Sequence, residues 1–306
     1  MATAATPFLL PKRDFHFFAY PSPPGLQPPI RLRTSSSWTY CGALLPLTSP
    51  FPPSFHSWAS HTFASPSSLA PRLLPFLAWT HDLLRHAGFH HYWITIRASR
   101  PTADFDTPRW HTDDNFFDPL AAPELATGLW KVCTTLSGPG TLFAADGHRA
   151  RRLLRKVKDE ARGRQPEHQC SFIACSTCGD TGGEVRREMA ARMQDAGIKI
   201  VQSAAGEAVF FRIGGHEGSV HSEPRVGVDR VFVNIVPGRR GDFERLMARW
   251  GLEYPRSWSY GVPVVYEEDL VVAIPHVARN DGQQEERTTA IPSMQVTTMP
   301  NLDFRR

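Results

Sequence analysis

The sequence predicts a mainly β fold with flanking helices and one helical insertion. Short alternating or apolar runs bounded by turn residues predict strands, and segments with helical periodicity stand between or beside them. The predicted strands are Tyr92 to Ala98, Leu129 to Leu136, Gly140 to Phe143, Ser171 to Ala174, Ile198 to Gln202, Ala208 to Ile213 and Arg230 to Val236.

Helices are predicted where apolar residues recur on one face. Ser68 to Ala87 carries leucines and aromatic residues at near-helical spacing, interrupted by Pro75, so we expect a helix that packs against the domain. Asp146 to Arg162 and Glu184 to Ala196 form the predicted insertion, near residues 146 to 196. A further helix is predicted over Asp242 to Trp250.

Composition divides the chain of 306 residues into three parts. The first 80 residues hold 14 of the 27 prolines and a single acid, Asp14. Residues 1–66 are therefore predicted to be a disordered Pro- and Ser-rich segment, either an organelle-targeting peptide or a plain tail. Residues 67–280 are predicted to be the folded domain. Residues 281–306 are polar and without periodicity, and are predicted to be a disordered tail.

Charge and cysteine usage limit the partners and the compartment. The net charge of +4 lies entirely in the first 80 residues, so the rest of the chain offers no electrostatic footprint for nucleic acid or an anionic membrane. The expected partner of the folded part is a small molecule or a protein. The sequence has no run of 18 apolar residues free of charge and proline, so no membrane span is predicted. Five cysteines without a secretory signal favour a reducing compartment, cytoplasmic or mitochondrial.

The segment around His111 and Asp113 carries the strongest chemical signal. The two residues are separated by one position, so on an extended segment both side chains point to the same side and reach one metal ion. A non-haem ferrous site needs two imidazoles and one carboxylate, with open positions for a chelating co-substrate and oxygen. His221, which follows a predicted strand, is the candidate second imidazole.

An arginine completes the pattern. Arg230 lies nine residues after His221, at the start of a predicted apolar strand. A buried arginine at that position is suited to hold a carboxylate through two parallel hydrogen bonds.

This order of residues resembles the double-stranded β-helix oxygenases that use Fe(II) and 2-oxoglutarate. The resemblance implies that His111, Asp113 and His221 are the iron ligands and the catalytic centre, and that Arg230 pairs with the distal carboxylate of 2-oxoglutarate. It also implies a jelly-roll fold of the double-stranded β-helix type, and an activity that hydroxylates or demethylates a substrate that the sequence does not identify.

A narrower resemblance covers part of the same region. Trp110 to Asp113, Thr134 to Thr141 and Val220 to Pro224 are similar, in order and spacing, to a bacterial domain family of unknown function with His-x-Asp, Gly-Pro-Gly-Thr and a late His-Ser/Arg-Pro block. That family assigns no substrate. The two resemblances together cover about residues 90 to 240.

The chain departs from the oxygenase pattern in the co-substrate pocket. Many such oxygenases place Ser or Thr two residues after the arginine, whereas this chain has Phe232. Residues on predicted strands are the candidates to complete the pocket: Tyr92, Thr95 and Thr134. A rival pair also exists, because His216 lies nine residues before Arg225. We favour His221, because a strand begins at Arg230 whereas Arg225 follows a proline in a predicted loop.

Two other classes of protein compete with the oxygenase. In the first, the chain is a jelly-roll binding or scaffold protein without metal, and His111, Asp113 and His221 are ordinary hydrogen-bonding groups. In the second, His168 and three cysteines, Cys170, Cys175 and Cys178, hold a structural zinc ion, although such sites usually take two ligand pairs that are well separated in sequence. Reduced thiols are the expectation for these cysteines.

Overall fold

The computed structural model describes residues 14–21, 29–48, 50–113, 117, 130–164, 176–250 and 264–268. Within these ranges the chain forms ten strands and five α-helices. The strands are β1 Phe15–Ala19, β2 Ser36–Ala43, β3 His91–Ser99, β4 Trp130–Ser137, β5 Leu142–Ala144, β6 Ile200–Gln202, β7 Glu207–Arg212, β8 His221–Ser222, β9 Arg230–Gly238 and β10 Val264–Glu268. The helices are α1 Pro53–Thr62, α2 Ala70–His86, α3 Gly147–Gly163, α4 Ser176–Asp195 and α5 Arg240–Trp250.

The strands form two sheets. The larger has seven strands in the order β1-β7-β4-β9-β3-β2-β10, and the smaller has three in the order β6-β5-β8. All neighbouring pairs are antiparallel except β2 and β10. The fold is sheet-rich and is compatible with a jelly roll.

One face of the seven-stranded sheet, which we call the core face, is apolar and lies against α1 and α2. Side chains alternate between the two faces of a strand, so every second residue of the central strands reaches this core. Phe76 and Leu77 of α2 are fully buried in it, and each such side chain stabilises the fold by about 1.5 to 3 kcal/mol. The strand residues of this core include Ile94, Ile96, Val132, Phe210, Val233 and Ile235.

The opposite face, which we call the inter-sheet face, lies against the three-stranded sheet. Phe143 of β5 packs there with Cys133, Val209 and Phe211 of the larger sheet. The next residue of β5, Ala144, points the other way and packs with α3 and α4. The two sheets therefore lie face to face, with a pair of helices outside each one.

The predicted strands and helices agree with most of these elements. The ends of β3, β4, β5, β6, β7 and β9 differ from the prediction by no more than two residues. Helix α4 begins at Ser176, well before the predicted start at Glu184. The predicted strand Ser171 to Ala174 and the predicted tail 281–306 lie outside the described residues.

The prediction that residues 1–66 form an unpacked segment is wrong for the part that the structure describes. Strand β2 pairs along its whole length with β3 and is almost entirely buried, and β1 pairs with β7. Helix α1 also belongs to this region. Its proline, Pro53, is tolerated because it occupies the first turn, where a proline costs no hydrogen bond. The folded domain therefore extends at least to Phe15.

Among the described residues, no helix combines the length and the apolar content that crossing a bilayer requires.

Candidate metal centre

Two histidines meet between the sheets because their backbones are paired. The amide of His111 donates to the carbonyl of His221 at 3.0 Å, and the amide of His221 donates back at 2.9 Å. Such an exchange of two bonds places the two residues directly opposite each other in antiparallel chains. The ring centroids are consequently 4.3 Å apart.

Each imidazole is oriented by its own chain. Nδ1 of His111 lies 2.6 Å from the carbonyl oxygen of Arg109, and Nδ1 of His221 lies 2.9 Å from that of Ser219. Because a carbonyl only accepts, Nδ1 must carry the proton in both rings, which leaves the lone pair on Nε2. Backbone bonds of this kind fix the tautomer of histidines that ligate metals.

Asp113 supplies the carboxylate. Its backbone carbonyl accepts from the amide of Gly214 at 2.7 Å. The carboxylate then lies between the two rings, with Oδ1 3.8 Å from Nε2 of His111 and Oδ2 3.7 Å from Nε2 of His221. One ligand atom from each of the three residues falls within 4.8 Å of the others. Two imidazole nitrogens and one carboxylate are the donor set of the facial triad that holds non-haem iron.

Lys131, a residue that the sequence analysis did not single out, pairs with this carboxylate. Its Nζ lies 2.8 Å from Oδ2 of Asp113, and its side chain is only 7% exposed. Burial alone would raise the pKa of Asp113, but the charge of Lys131 and smaller interactions with the two imidazoles lower it well below its usual range. Asp113 is therefore ionised, as a metal ligand must be. The only sequence signal was a lysine within an apolar strand.

The surroundings of His221 keep its ring neutral. Phe143 and Phe211 pack on it, with ring centroids 5.7 Å and 4.9 Å away. Burial lowers the pKa of His221 to about 4, with a smaller contribution in the same direction from His111. The ring is therefore uncharged near neutral pH, which is the form that binds a metal.

Arg230 is held by the Gly-Pro-Gly-Thr turn. Its Nε donates to the carbonyl of Pro139 at 2.8 Å, and its Nη2 lies 3.3 Å from the hydroxyl of Thr141 and 3.5 Å from that of Thr135. Gly138 has a φ of +85°, and a Cβ there would lie 2.9 Å from the backbone oxygen of Asp229. This turn therefore needs glycine at position 138 to come so close to Arg230.

Part of the Arg230 side chain is left open. Nη1 forms no hydrogen bond with any residue that the structure describes. Burial and the charge of Arg97 lower the pKa of Arg230 to about 10, so the guanidinium is still charged at neutral pH. Phe232 lies beside it, with the ring centroid 4.7 Å from Cζ. Thr141 and Thr135 therefore supply the hydroxyls beside Arg230, which Phe232 cannot.

Strand β5 connects Arg230 with the histidines. Phe143 of this strand pairs with His221, and Thr141 lies two residues earlier. Two residues of extended chain span about 7 Å.

The structure does not bring Thr134 or Tyr92 to the triad. Thr134 lies on the core face, where its hydroxyl contacts the hydroxyl of Tyr20 at 3.2 Å and donates to the carbonyl of Glu207 at 2.8 Å. Tyr92 is fully buried in the same core. Strand alternation explains the miss, because the neighbouring Thr135 points to the inter-sheet face. Thr95 also lies on that face, hydrogen-bonded to Thr39.

The rival histidine and arginine lie away from the triad. His216 is exposed, and Arg225 is 78% exposed and pairs with Asp106 at 3.0 Å. The choice of His221 over His216 therefore agrees with the geometry.

The cysteine alternative falls largely outside the described residues. His168, Cys170 and Cys175 are not described, nor is the side chain of Cys178. Cys41 and Cys133 are buried free thiols.

A cluster of charged residues adjoins the triad. Nη1 of Arg97 lies 3.7 Å from Oε1 of Glu223, and the guanidinium groups of Arg97 and Arg109 lie 5.2 Å and 5.8 Å from the ring centroid of Phe105. Burial alone would raise the pKa of Glu223, but the charges of His111, Arg97 and Arg109 lower it to about 2. Glu223 is therefore a buried anion surrounded by cations. No local sequence pattern marks this cluster.

Comparison with known proteins adds little to this geometry. No family model matches the chain, and no curated protein matches it. Among solved structures, the chain is similar to the crystal structure of the non-heme iron oxygenase OrfP, with 15% identity over 67% of this chain and 73% of that one, at a TM-score of 0.27. At that TM-score the similarity supports no assignment.

Proposed function

We propose that this protein is an Fe(II)- and 2-oxoglutarate-dependent oxygenase built on a double-stranded β-helix. The observation that carries the proposal is the convergence of His111, Asp113 and His221, with both Nδ1 atoms bound to backbone carbonyls and both Nε2 atoms facing one carboxylate. The donor set fits ferrous iron. When bound, iron would supply the activation of oxygen.

The chain's own residues prepare the site in three ways. Backbone bonds at Nδ1 orient both rings so that Nε2 of each faces the site, and burial keeps His221 in the neutral form that binds a metal. Lys131 holds Asp113 ionised and in place before metal arrives. The open Nη1 of Arg230 and the hydroxyl of Thr141 would bind the distal carboxylate of 2-oxoglutarate.

The resulting reaction balances without a further co-reactant. One oxygen atom of O2 enters 2-oxoglutarate, which is oxidised to succinate and CO2. The other enters a C–H bond of the substrate, which becomes an alcohol. Hydroxylation of an N-methyl or O-methyl group would release formaldehyde, so demethylation belongs to the same chemistry.

One observation favours a second candidate, a metal-free jelly-roll scaffold. Lys131 already neutralises Asp113, so the buried carboxylate has a partner without a cation. In that case the two histidines serve only to join the strands.

The two candidates are separated by an anaerobic Fe(II) titration of the full chain, with and without 2-oxoglutarate, that follows the visible charge-transfer absorption. We expect a band that needs both components. It should be absent in His221→Ala, retained in the exposed control His216→Ala, and weakened in Arg230→Gln but not in the exposed control Arg225→Gln. Absence of the band and of bound iron in the wild-type protein would favour the scaffold.

A further inference from the structure

The strand pairing that joins the two histidines also brings an arginine and a glutamate together. The bridge between His111 and His221 is isolated, but on extended chain the residues two before His111 and two after His221 lie on the same side of their segments as the imidazoles. These residues are Arg109 and Glu223. The amide of Arg109, which donates to the hydroxyl of Ser222 at 2.7 Å, fixes this arrangement.

Both side chains keep bonding capacity that the described residues do not use. The guanidinium of Arg109 rests on Phe105 and makes no hydrogen bond or ion pair with them. Oε2 of Glu223 is buried and accepts no hydrogen bond from them either. An unpaired buried acceptor destabilises the fold, so it calls for a donor.

The local charge is positive. Arg97 and Arg230 are only 8% and 3% exposed, and the charges of Arg109 and Arg186 also act on Glu223. Glu223 is the anion that these groups share, and Asp104, which also acts on Arg97 and Arg186, is exposed. Buried charge is costly without a counter-ion. One further anion would go to Arg230 as 2-oxoglutarate, and within the part of the chain that the structure describes no carboxylate forms an ion pair with Arg109.

We propose that the substrate is a small organic acid with a hydrogen-bond donor next to its carboxylate, bound between Arg109 and Glu223. The guanidinium of Arg109 takes the carboxylate, and Oε2 of Glu223 accepts from the adjacent hydroxyl or amine. This inference rests on the proposed function for calling the ligand a substrate. The binding site itself uses no metal ligand, so it can be tested separately.

The test is a ligand-observed NMR titration of the full chain without added metal, which removes chelation of iron as a source of binding. Lactate carries both groups, propionate lacks the donor, and lactamide lacks the acid. We expect lactate to bind in the millimolar range, propionate several-fold more weakly, and lactamide not at all. Inorganic phosphate in a fourth series tests whether the site prefers a phosphate group.

Three variants assign the binding to residues. Arg109→Gln should weaken lactate binding by about tenfold or more, the usual value of a charge-assisted hydrogen bond. Glu223→Gln should weaken lactate but leave propionate unchanged. Arg225→Gln, which removes an exposed positive charge from the same segment, should change neither.

Several results would overturn the inference. They are undetectable lactate binding at about 50 mM, equal binding by the wild-type protein and Arg109→Gln, or binding of phosphate in preference to lactate. Failure of the proposed function looks different, because lactate would bind as expected while the protein takes up no iron.

Discussion

The two faces of the seven-stranded sheet are made from alternate residues of the same strands, yet their chemistry differs. The core face is closed by α1 and α2 and consists mainly of large apolar side chains. The inter-sheet face carries Lys131, Arg97 and Arg230, all buried. Under the proposed function, stability and binding are separated by strand parity, so neighbouring residues on one strand can be tested for different roles.

Truncation on the core face should have the largest effect on stability. Phe76→Ala removes a fully buried aromatic ring from α2 and should lower the free energy of unfolding by about 3 to 5 kcal/mol. The iron affinity of the protein that stays folded should not change. Chemical denaturation and metal titration below the unfolding transition measure the two quantities, and a large loss of iron affinity would show that the faces are not independent.

Removal of Lys131, the partner of Asp113, should affect both the stability of the protein and its response to iron. Lys131→Met leaves a buried carboxylate without its cation and should destabilise the metal-free protein by about 3 kcal/mol. Fe(II) should then restore more stability than it gives the wild-type protein, because it binds only the folded state. Thermal unfolding with and without Fe(II) measures this, and a variant that Fe(II) does not rescue would favour the scaffold.

A buried histidine makes the core face sensitive to acid. His81 of α2 is fully buried, neither ring nitrogen has a hydrogen-bond partner among the described residues, and its ring lies edge-on to Tyr92. Burial lowers its pKa to about 4, with a smaller contribution in the same direction from Arg85 and one in the opposite direction from Asp82.

The unfolded chain therefore binds this proton first as the pH falls. The stabilising contribution is complete above about pH 6.5 and is lost toward pH 4, by up to about 3 kcal/mol. His81→Leu should flatten the dependence of unfolding free energy on pH in that window. A slope identical to that of the wild-type protein would show that other groups cause it.

The adjacent threonines of β4 should give the smallest and sharpest contrast. Thr134→Val loses two hydrogen bonds on the core face and should cost about 1 to 2 kcal/mol of stability without changing 2-oxoglutarate affinity. Thr135→Val should weaken 2-oxoglutarate several-fold with little change in stability. Denaturation and a charge-transfer titration compare the pair, and the reverse outcome would mean that the faces are wrongly assigned.

Sequence patterns predicted the strands that alternate. Apolar residues stand at 130, 132 and 136 in β4 and at 231, 233 and 235 in β9, so the ends of both strands could be placed within two residues. β2 was missed because its polar residues are buried too: the hydroxyl of Ser36 contacts that of Thr62 and accepts from the indole of Trp58, and Trp38 donates to Ser54. Hydroxyls that satisfy one another after folding look like exposed residues in a sequence.

The triad could be predicted because the spacing within His-x-Asp is local and because a known motif orders the rest. Lys131, Arg97 and Glu223 could not, since they act through partners that only the tertiary register supplies. Thr134 was named instead of Thr135 because both lie on the same predicted strand and no local pattern shows which face of that strand meets Arg230.

The most direct test is a crystal structure of the full chain grown anaerobically with Fe(II), with anomalous data collected on both sides of the iron edge. The account predicts one iron peak between the sheets, within bonding distance of Nε2 of His111, Nε2 of His221 and the carboxylate of Asp113, with Nδ1 of both rings still bound to the carbonyls of Arg109 and Ser219. A protein that crystallises with the three side chains as described but shows no iron there, or holds it elsewhere, would contradict the account.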